Sequence, residues 1–213
     1  LNSVINQKIT YEYEIILVDD FSSDNSVEII EKLSLKYSRI ILLKHNKNKG
    51  QAIARSTGMS KASGDYILHL DADDWYIPDS LQPLFCKIEE IKPDILISNI
   101  SLKYPNREIF IKEDIINEAQ YEMGQNNTIE IFPFFFQNSG TKIVKRELVQ
   151  SLLINESDFE TTAEDFLYSI EIFFRANKIY SSSASFYVWN VHENSLTQSI
   201  IYHKKINNQI TLL

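Results

Sequence analysis

Two acidic runs, Asp19-Asp20 and Asp71-Ala72-Asp73-Asp74, each follow directly on a short apolar run rich in β-branched residues, with stretches of helical periodicity between them. This alternation constrains the chain more than any other feature. Glu14 to Val18, Ile40 to Leu43, Tyr66 to Leu70 and Asp94 to Ser98 read as buried strands, because short apolar runs bounded by turn residues suit strands covered on both faces. The intervening segments carry apolar residues at helical spacing. Val27, Ile30, Leu33 and Tyr37 follow a cap at Asn25, Ala52, Ile53, Thr57 and Met59 follow Gly50, and Leu81, Leu84, Phe85, Ile88 and Ile91 follow a cap near Ser80. The pattern predicts an α/β fold with a Rossmann-like, mostly parallel sheet and helices on both faces. Ligands of such sheets sit at the carboxyl ends of the strands, where both acidic runs stand.

From about Asn99 the rhythm loosens. Asn106 to Gln125 reads as loop or irregular helix, Ile129 to Phe136 is strongly apolar, Gly140 to Val144 reads as a short strand and Glu147 to Leu153 as a helix. Glu164 to Ala176 is a helix with Phe166, Leu167, Ile170, Phe173 and Phe174 on one side, and Ser185 to Val191 is a strand. The densest apolar stretch, Ile131 to Phe136, falls far short of the ~20 residues of a membrane span.

Composition removes several functions. Twenty-one basic against 29 acidic residues give a net charge of −8 with no basic patch, which opposes a nucleic-acid partner. The sole cysteine, Cys86, excludes an intramolecular disulfide and any multi-cysteine metal centre, and its place on an apolar helix face predicts a buried, inert thiol. The five glycines match neither the dinucleotide fingerprint nor the P-loop. A phosphate must be held in another way.

Carboxylates gathered at strand ends repel one another unless a cation or hydrogen-bond donors compensate them. Mg²⁺ or Mn²⁺, held by one or two carboxylates plus substrate phosphates, is the economical answer. The bland alternative has Asp71 capping a turn with Asp73 and Asp74 solvated. An EF-hand is excluded, since its sixth position would be Tyr76 and its twelfth Gln82. Gly50 either lets its bare backbone approach a diphosphate or simply ends a loop. Arg55 either meets a phosphate or bridges to an acidic neighbour such as Asp65, the structural role being preferred. His69 reads as a satisfied core histidine, and Trp75 as a packing residue rather than a sugar platform.

Val18-Asp-Asp-Phe-Ser-Ser-Asp-Asn-Ser26, Asn48-Lys-Gly50 followed by Ala54-Arg55-Ser-Thr-Gly58, Ala62-Ser-Gly-Asp-Tyr-Ile67 and Leu70-Asp-Ala-Asp-Asp74 together resemble family 2 glycosyltransferases. The resemblance implies the GT-A fold and an inverting, metal-dependent, sugar-nucleotide-using enzyme. It covers about residues 1 to 100 in order and spacing and continues more loosely. Lys142 to Leu148 is similar to the family's short strand and basic helix start, Glu164-Asp165 to its helical acidic pair, and Tyr187 to Ser199 to its bacterial tail.

By position, the resemblance implies that Asp19 and Asp20 contact base and ribose, with Gly50 beside the donor. It makes Asp73 the direct metal ligand, and sets Asp71 nearer the ribose or a metal-bound water. Asp165 becomes the catalytic base, with Glu164 its close competitor. The bland alternative for that pair is a helix first turn favoured by the macrodipole, capped by Thr161 or Thr162. His192, near Tyr187 and Trp189, either touches the diphosphate or metal or is a polar surface residue. Phe21 stands where the family usually has glycine, and Ser56 where it has asparagine.

Residues 1–100 are thus expected to form the nucleotide-sugar-binding half, and residues 101–213 the acceptor-binding and catalytic-base half of one domain. A UDP-sugar donor, a glycan or lipid-linked acceptor and bacterial surface-polysaccharide synthesis follow from the resemblance. So does a cytoplasmic location, with peripheral attachment to the inner membrane face left open. The family's first strand would precede Leu1, and a chain without it is expected to have a gap in its sheet. Two other functions stay open: a catalytically incomplete binder of sugar nucleotides or glycans, and a metal-dependent phospho- or nucleotidyltransferase.

Overall fold

The computed structural model describes residues 1–105, 110–111, 116–122, 128–131, 139–150 and 164–192. Its elements alternate as the apolar runs predict. They are α1 (Asn2–Ile5), β1 (Ile15–Asp19), α2 (Ser26–Lys36), β2 (Ile40–Lys44), α3 (Gln51–Lys61), β3 (Tyr66–Leu68), β4 (Trp75–Tyr76), α4 (Leu81–Ile91) and β5 (Ile95–Lys103), followed by β6 (Phe110–Ile111), β7 (Ala119–Glu122), α5 (Thr128–Ile131), β8 (Lys142–Lys145), α6 (Arg146–Gln150), α7 (Glu164–Arg175) and β9 (Lys178–Asn190). The mixed α/β class is the one expected.

β1 and β2 pair in parallel, from Ile15 opposite Ile40 to Asp19 opposite Lys44. The larger sheet has the order β3-β8-β5-β9-β4, with β6 beside β5 and β7 beside β9. β3 and β5 are both antiparallel to β8 and so run the same way, and β9 runs parallel to β5 along its whole length. The reversed strands are short ones. Among the described residues no strand bridges β1 to the larger sheet.

β5 is buried on both faces and sorts its side chains by the strand's period of two. Ile95 and Ile97 meet Ile172 and Phe173 of α7, whereas Leu96, Ile100 and Leu102 meet Leu81, Leu84 and Ile88 of α4. Each of these fully buried side chains contributes about 1.5–3 kcal/mol. Pro83 is tolerated in α4 because it lies in the first turn, whose N–H groups have no intrahelical partner.

Two segments differ from expectation. Ala119–Glu122 is a strand against β9 rather than loop or irregular helix. β9 begins at Lys178 rather than Ser185, running through a serine-rich stretch where its register against β5 shifts. The Asn99 side chain stitches that irregularity: Nδ2 donates to Ser183 O at 2.7 Å, and Oδ1 accepts from Ile116 N at 2.7 Å. Cys86 is exposed rather than buried, since the buried face of α4 is Leu81, Leu84 and Ile88. Residues 132–136 of the apolar stretch, 151–153 of the helix expected to follow β8, the capping candidates Thr161 and Thr162, and the tail from 193 lie outside the described residues. No helix among the described residues is long and apolar enough to cross a membrane.

Candidate active site

The two acidic runs leave β1 and β3, and the start of α3 ties them together. At the end of β1, Asp20 is a clasp. Its Oδ1 accepts from Lys49 N at 2.9 Å and its Oδ2 from Gly50 N at 2.7 Å, while His45 Nδ1 lies 2.6 Å from Oδ1. The other ring nitrogen of His45 is 3.0 Å from Thr57 Oγ1 on α3. Burial acts to raise the Asp20 pKa, but the donors from His45, Lys49 and Gly50 outweigh it and hold the carboxyl below its ordinary range. Gly50 adopts φ +89°, a conformation other residues rarely take, and its N–H points at Asp20.

The neighbouring Asp19 is buried, and its Oδ2 accepts from Ser22 N at 3.3 Å. Between these anchored residues Phe21 is held at φ 70° and is 60% exposed. A left-handed conformation costs a residue with a side chain roughly 1–2 kcal/mol.

Beyond the end of β3 the three aspartates of the acidic run part company. Asp71 faces α3: Oδ1 accepts from Gln51 Nε2 at 3.1 Å and from Arg55 Nη2 at 2.7 Å. Arg55 therefore bridges to Asp71 rather than to Asp65. Asp74 turns inward, where its Oδ2 accepts from the Tyr187 hydroxyl and its Oδ1 from Asn190 N at 2.8 Å. Burial, with smaller contributions from the charges of Asp73 and Asp71, pushes its pKa up to about 6 against the opposing hydrogen bonds.

Asp73 remains 52% exposed, and its Oδ2 lies 3.0 Å from His192 Nε2. The other ring nitrogen of His192, Nδ1, is buried without a hydrogen-bond partner in the described structure. Of the acidic run, then, Asp73 is the carboxylate presented outward.

Tyr187, which anchors Asp74, is fully buried and packs on Gly140 so closely that a Cβ there would lie 2.0 Å from its ring. Trp75 pairs with Val188 across β4 and β9 and is partly buried, a packing role. His69 is half-buried, with Nε2 3.3 Å from Tyr168 Oη. That contact sets the beginning of α7 beside the end of β3. Glu164 and Asp165 occupy the first turn of α7, one turn before Tyr168, and their side chains lie outside the described residues.

His45 and Gln51 escaped the sequence reading, although both stand where a reading of the sheet edge could find them. His45 directly follows β2 and Gln51 opens α3.

Comparison with known proteins places the chain in a family. The family model described as "Glycosyl transferase family 2" matches residues 1–153. The chain is 28% identical over 208 residues to the "Glycosyltransferase GlyA" of Streptococcus pneumoniae, covering 93% of this chain and 29% of that protein. It is 29% identical over 233 residues to the "Cholesterol galactosyltransferase" of Borreliella burgdorferi, covering 100% of this chain and 62% of that protein. The chain thus spans less than two thirds of either relative. Among solved structures, S. aureus TarS 1-349 in complex with UDP-GlcNAc superposes with a TM-score of 0.73 at 24% identity, covering 93% of this chain and 55% of that one. GalNAc-T7 with UDP, GalNAc and Mn²⁺ gives 0.66 at 20% identity, covering 89% and 39%. At these identities the structural likeness is one of fold, and the fold is GT-A. With the family model matched over most of its length, the chain belongs to glycosyl transferase family 2.

Proposed function

We propose that this chain carries the donor site and catalytic base of an inverting transferase, which moves a sugar from a UDP-sugar to a glycan or lipid-linked acceptor. One observation carries the reading. The acidic ends of β1 and β3 are joined through the start of α3 into one continuous edge, and His192 is drawn onto Asp73 at that edge. Asp19, Asp20, Gly50 and Asp71 border the nucleoside and diphosphate in this reading. Residues 1–100 serve the donor, and residues 101–213 serve the acceptor and supply the base.

The residues present fit a divalent cation. The exposed Asp73 carboxylate is a donor suited to Mn²⁺ or Mg²⁺, and the His192 imidazole nitrogen 3.0 Å from it is a second donor that matches Mn²⁺ better than Mg²⁺. The described residues contain no group of three or more such ligands, so diphosphate oxygens would complete the shell, as is usual for these ions. Asp73 and His192 would hold the ion. A cation bound there neutralises the charge that develops on the departing diphosphate.

Asp165 supplies the other half of the reaction. The acceptor hydroxyl oxygen bonds to the anomeric carbon while the bond from that carbon to the diphosphate breaks, and Asp165 takes the hydroxyl proton. Tyr168, one turn on, supports the placement through its contact with His69, two residues before Asp71.

The test is release of UDP from UDP-sugars in the presence of a glycan acceptor and Mn²⁺. Asp73→Ala and Asp165→Asn should each lower turnover by about 100-fold or more. Transfer left intact by Asp165→Asn would remove Asp165 as the base, and turnover indifferent to chelation would remove the metal.

A further inference from the structure

Phe21 combines two unfavourable features. Its backbone is held at φ 70°, and the residue is 60% exposed, outside both hydrophobic clusters of the described residues. The turn is no loose loop. Asp19 Oδ2 accepts from Ser22 N on one side, and on the other Asp20 is fastened to Lys49 N, Gly50 N and His45. Backbone strain that the surroundings enforce, on a side chain that joins neither core, points to a role outside the fold.

The position narrows that role. Phe21 lies two residues beyond the end of β1, at the edge where open α/β sheets take their ligands. Asp20 reaches Gly50 and Asp71 reaches Gln51, the next residue. The start of α3 therefore spans the interval between Phe21 and the diphosphate end at Asp73 and His192. A sugar nucleotide lying along that interval with its diphosphate at Asp73 brings its planar end towards the end of β1.

We propose that Phe21 is the stacking platform for the nucleobase of the donor. This rests on the reading of the edge as a nucleotide-sugar site. Stacking is available to any planar base, so Phe21 supplies affinity, and the choice among bases falls to hydrogen bonds from other groups.

The experiment measures binding of UDP and of inorganic pyrophosphate, each with Mn²⁺, by calorimetry to the wild-type protein and to Phe21→Gly and Phe21→Trp. Phe21→Gly should weaken UDP binding about tenfold and leave pyrophosphate binding unchanged. It should also leave the melting temperature unchanged or higher, because glycine accepts a positive φ freely. Phe21→Trp should bind UDP as tightly as wild type. UDP affinity within twofold of wild type in Phe21→Gly overturns the stack, as does an equal loss for pyrophosphate. A wild-type protein that binds pyrophosphate but no nucleoside diphosphate overturns the donor-site reading itself, and the stack with it.

Discussion

Replacing Gly140 by alanine should destabilise the whole candidate site from a position that touches no substrate. The added Cβ would lie 2.0 Å from Tyr187 Cε2, 2.5 Å from Cζ and 2.6 Å from Cδ2, so the ring must retreat by roughly 1.4 Å to reach an ordinary contact near 3.4 Å. It has nowhere to go. Tyr187 is fully buried, paired through β9 with Ile100 on one side and Tyr76 on the other, and its hydroxyl donates to Asp74. Overpacking of this kind costs about 1–3 kcal/mol. A ring displaced this far also loses its bond to the carboxylate, worth about 1.5–3 kcal/mol for a charged acceptor. Together, about 2.5–6 kcal/mol is a large part of the 5–15 kcal/mol that ordinarily separates folded from unfolded chains.

Urea unfolding followed by circular dichroism would measure this loss, with Tyr187→Phe as the control that removes the hydroxyl alone and should cost about 1–3 kcal/mol. In a Tyr187→Ala background the same glycine change should cost under about 1 kcal/mol, because the ring it strikes is gone; the two changes are then strongly non-additive. A Gly140→Ala protein within about 0.5 kcal/mol of wild type, or additive costs, would refute the packing argument.

Other consequences are testable in the same way. Asp94 accepts from Lys145 Nζ at 2.8 Å, Asn177 N at 2.7 Å and Lys178 N at 3.0 Å. Burial raises its pKa, but these donors outweigh burial and hold it below the ordinary 3.8. A depressed folded-state pKa gives stability that is present above the unfolded value and is lost as pH falls through the folded one. Asp94→Asn should therefore lower stability at neutral pH and flatten its decline below about pH 4, as read from unfolding curves across pH. Gly50→Ala has open space for its Cβ but meets φ +89°, so it should cost about 1–2 kcal/mol through the backbone alone. Arg55→Met leaves the partly buried Asp71 without its cation, and should weaken UDP binding while sparing the melting temperature to within a few degrees.

Most of the first hundred residues were legible because their strands are apolar runs, two of which lead into aspartates, and both signals are local. β1, β2 and β3 begin within a residue of where periodicity puts them. β7 was not legible: of Ala119, Gln120, Tyr121 and Glu122 only Tyr121 is buried, and the segment is a strand through its pairing with the distant β9. The early part of β9 was hidden for a related reason. Its buried serines find partners on a neighbouring strand, as Ser181 Oγ does in donating to Ala119 O at 3.4 Å, and no pattern along the chain announces them. Within the site, sequence could gather Asp71, Asp73 and Asp74 but could not separate them. Arg55, His192 and Tyr187 make that separation, and two of the three arrive from the far end of the chain.

The central claim is sugar transfer with inversion, and the identity and configuration of the products test it most directly. With a UDP-sugar in the α configuration, Mn²⁺ and a glycan acceptor, phosphorus and proton NMR should show UDP accumulating together with a β-linked product. Pyrophosphate or free phosphate as the leaving product, or an α-linked sugar, would contradict it.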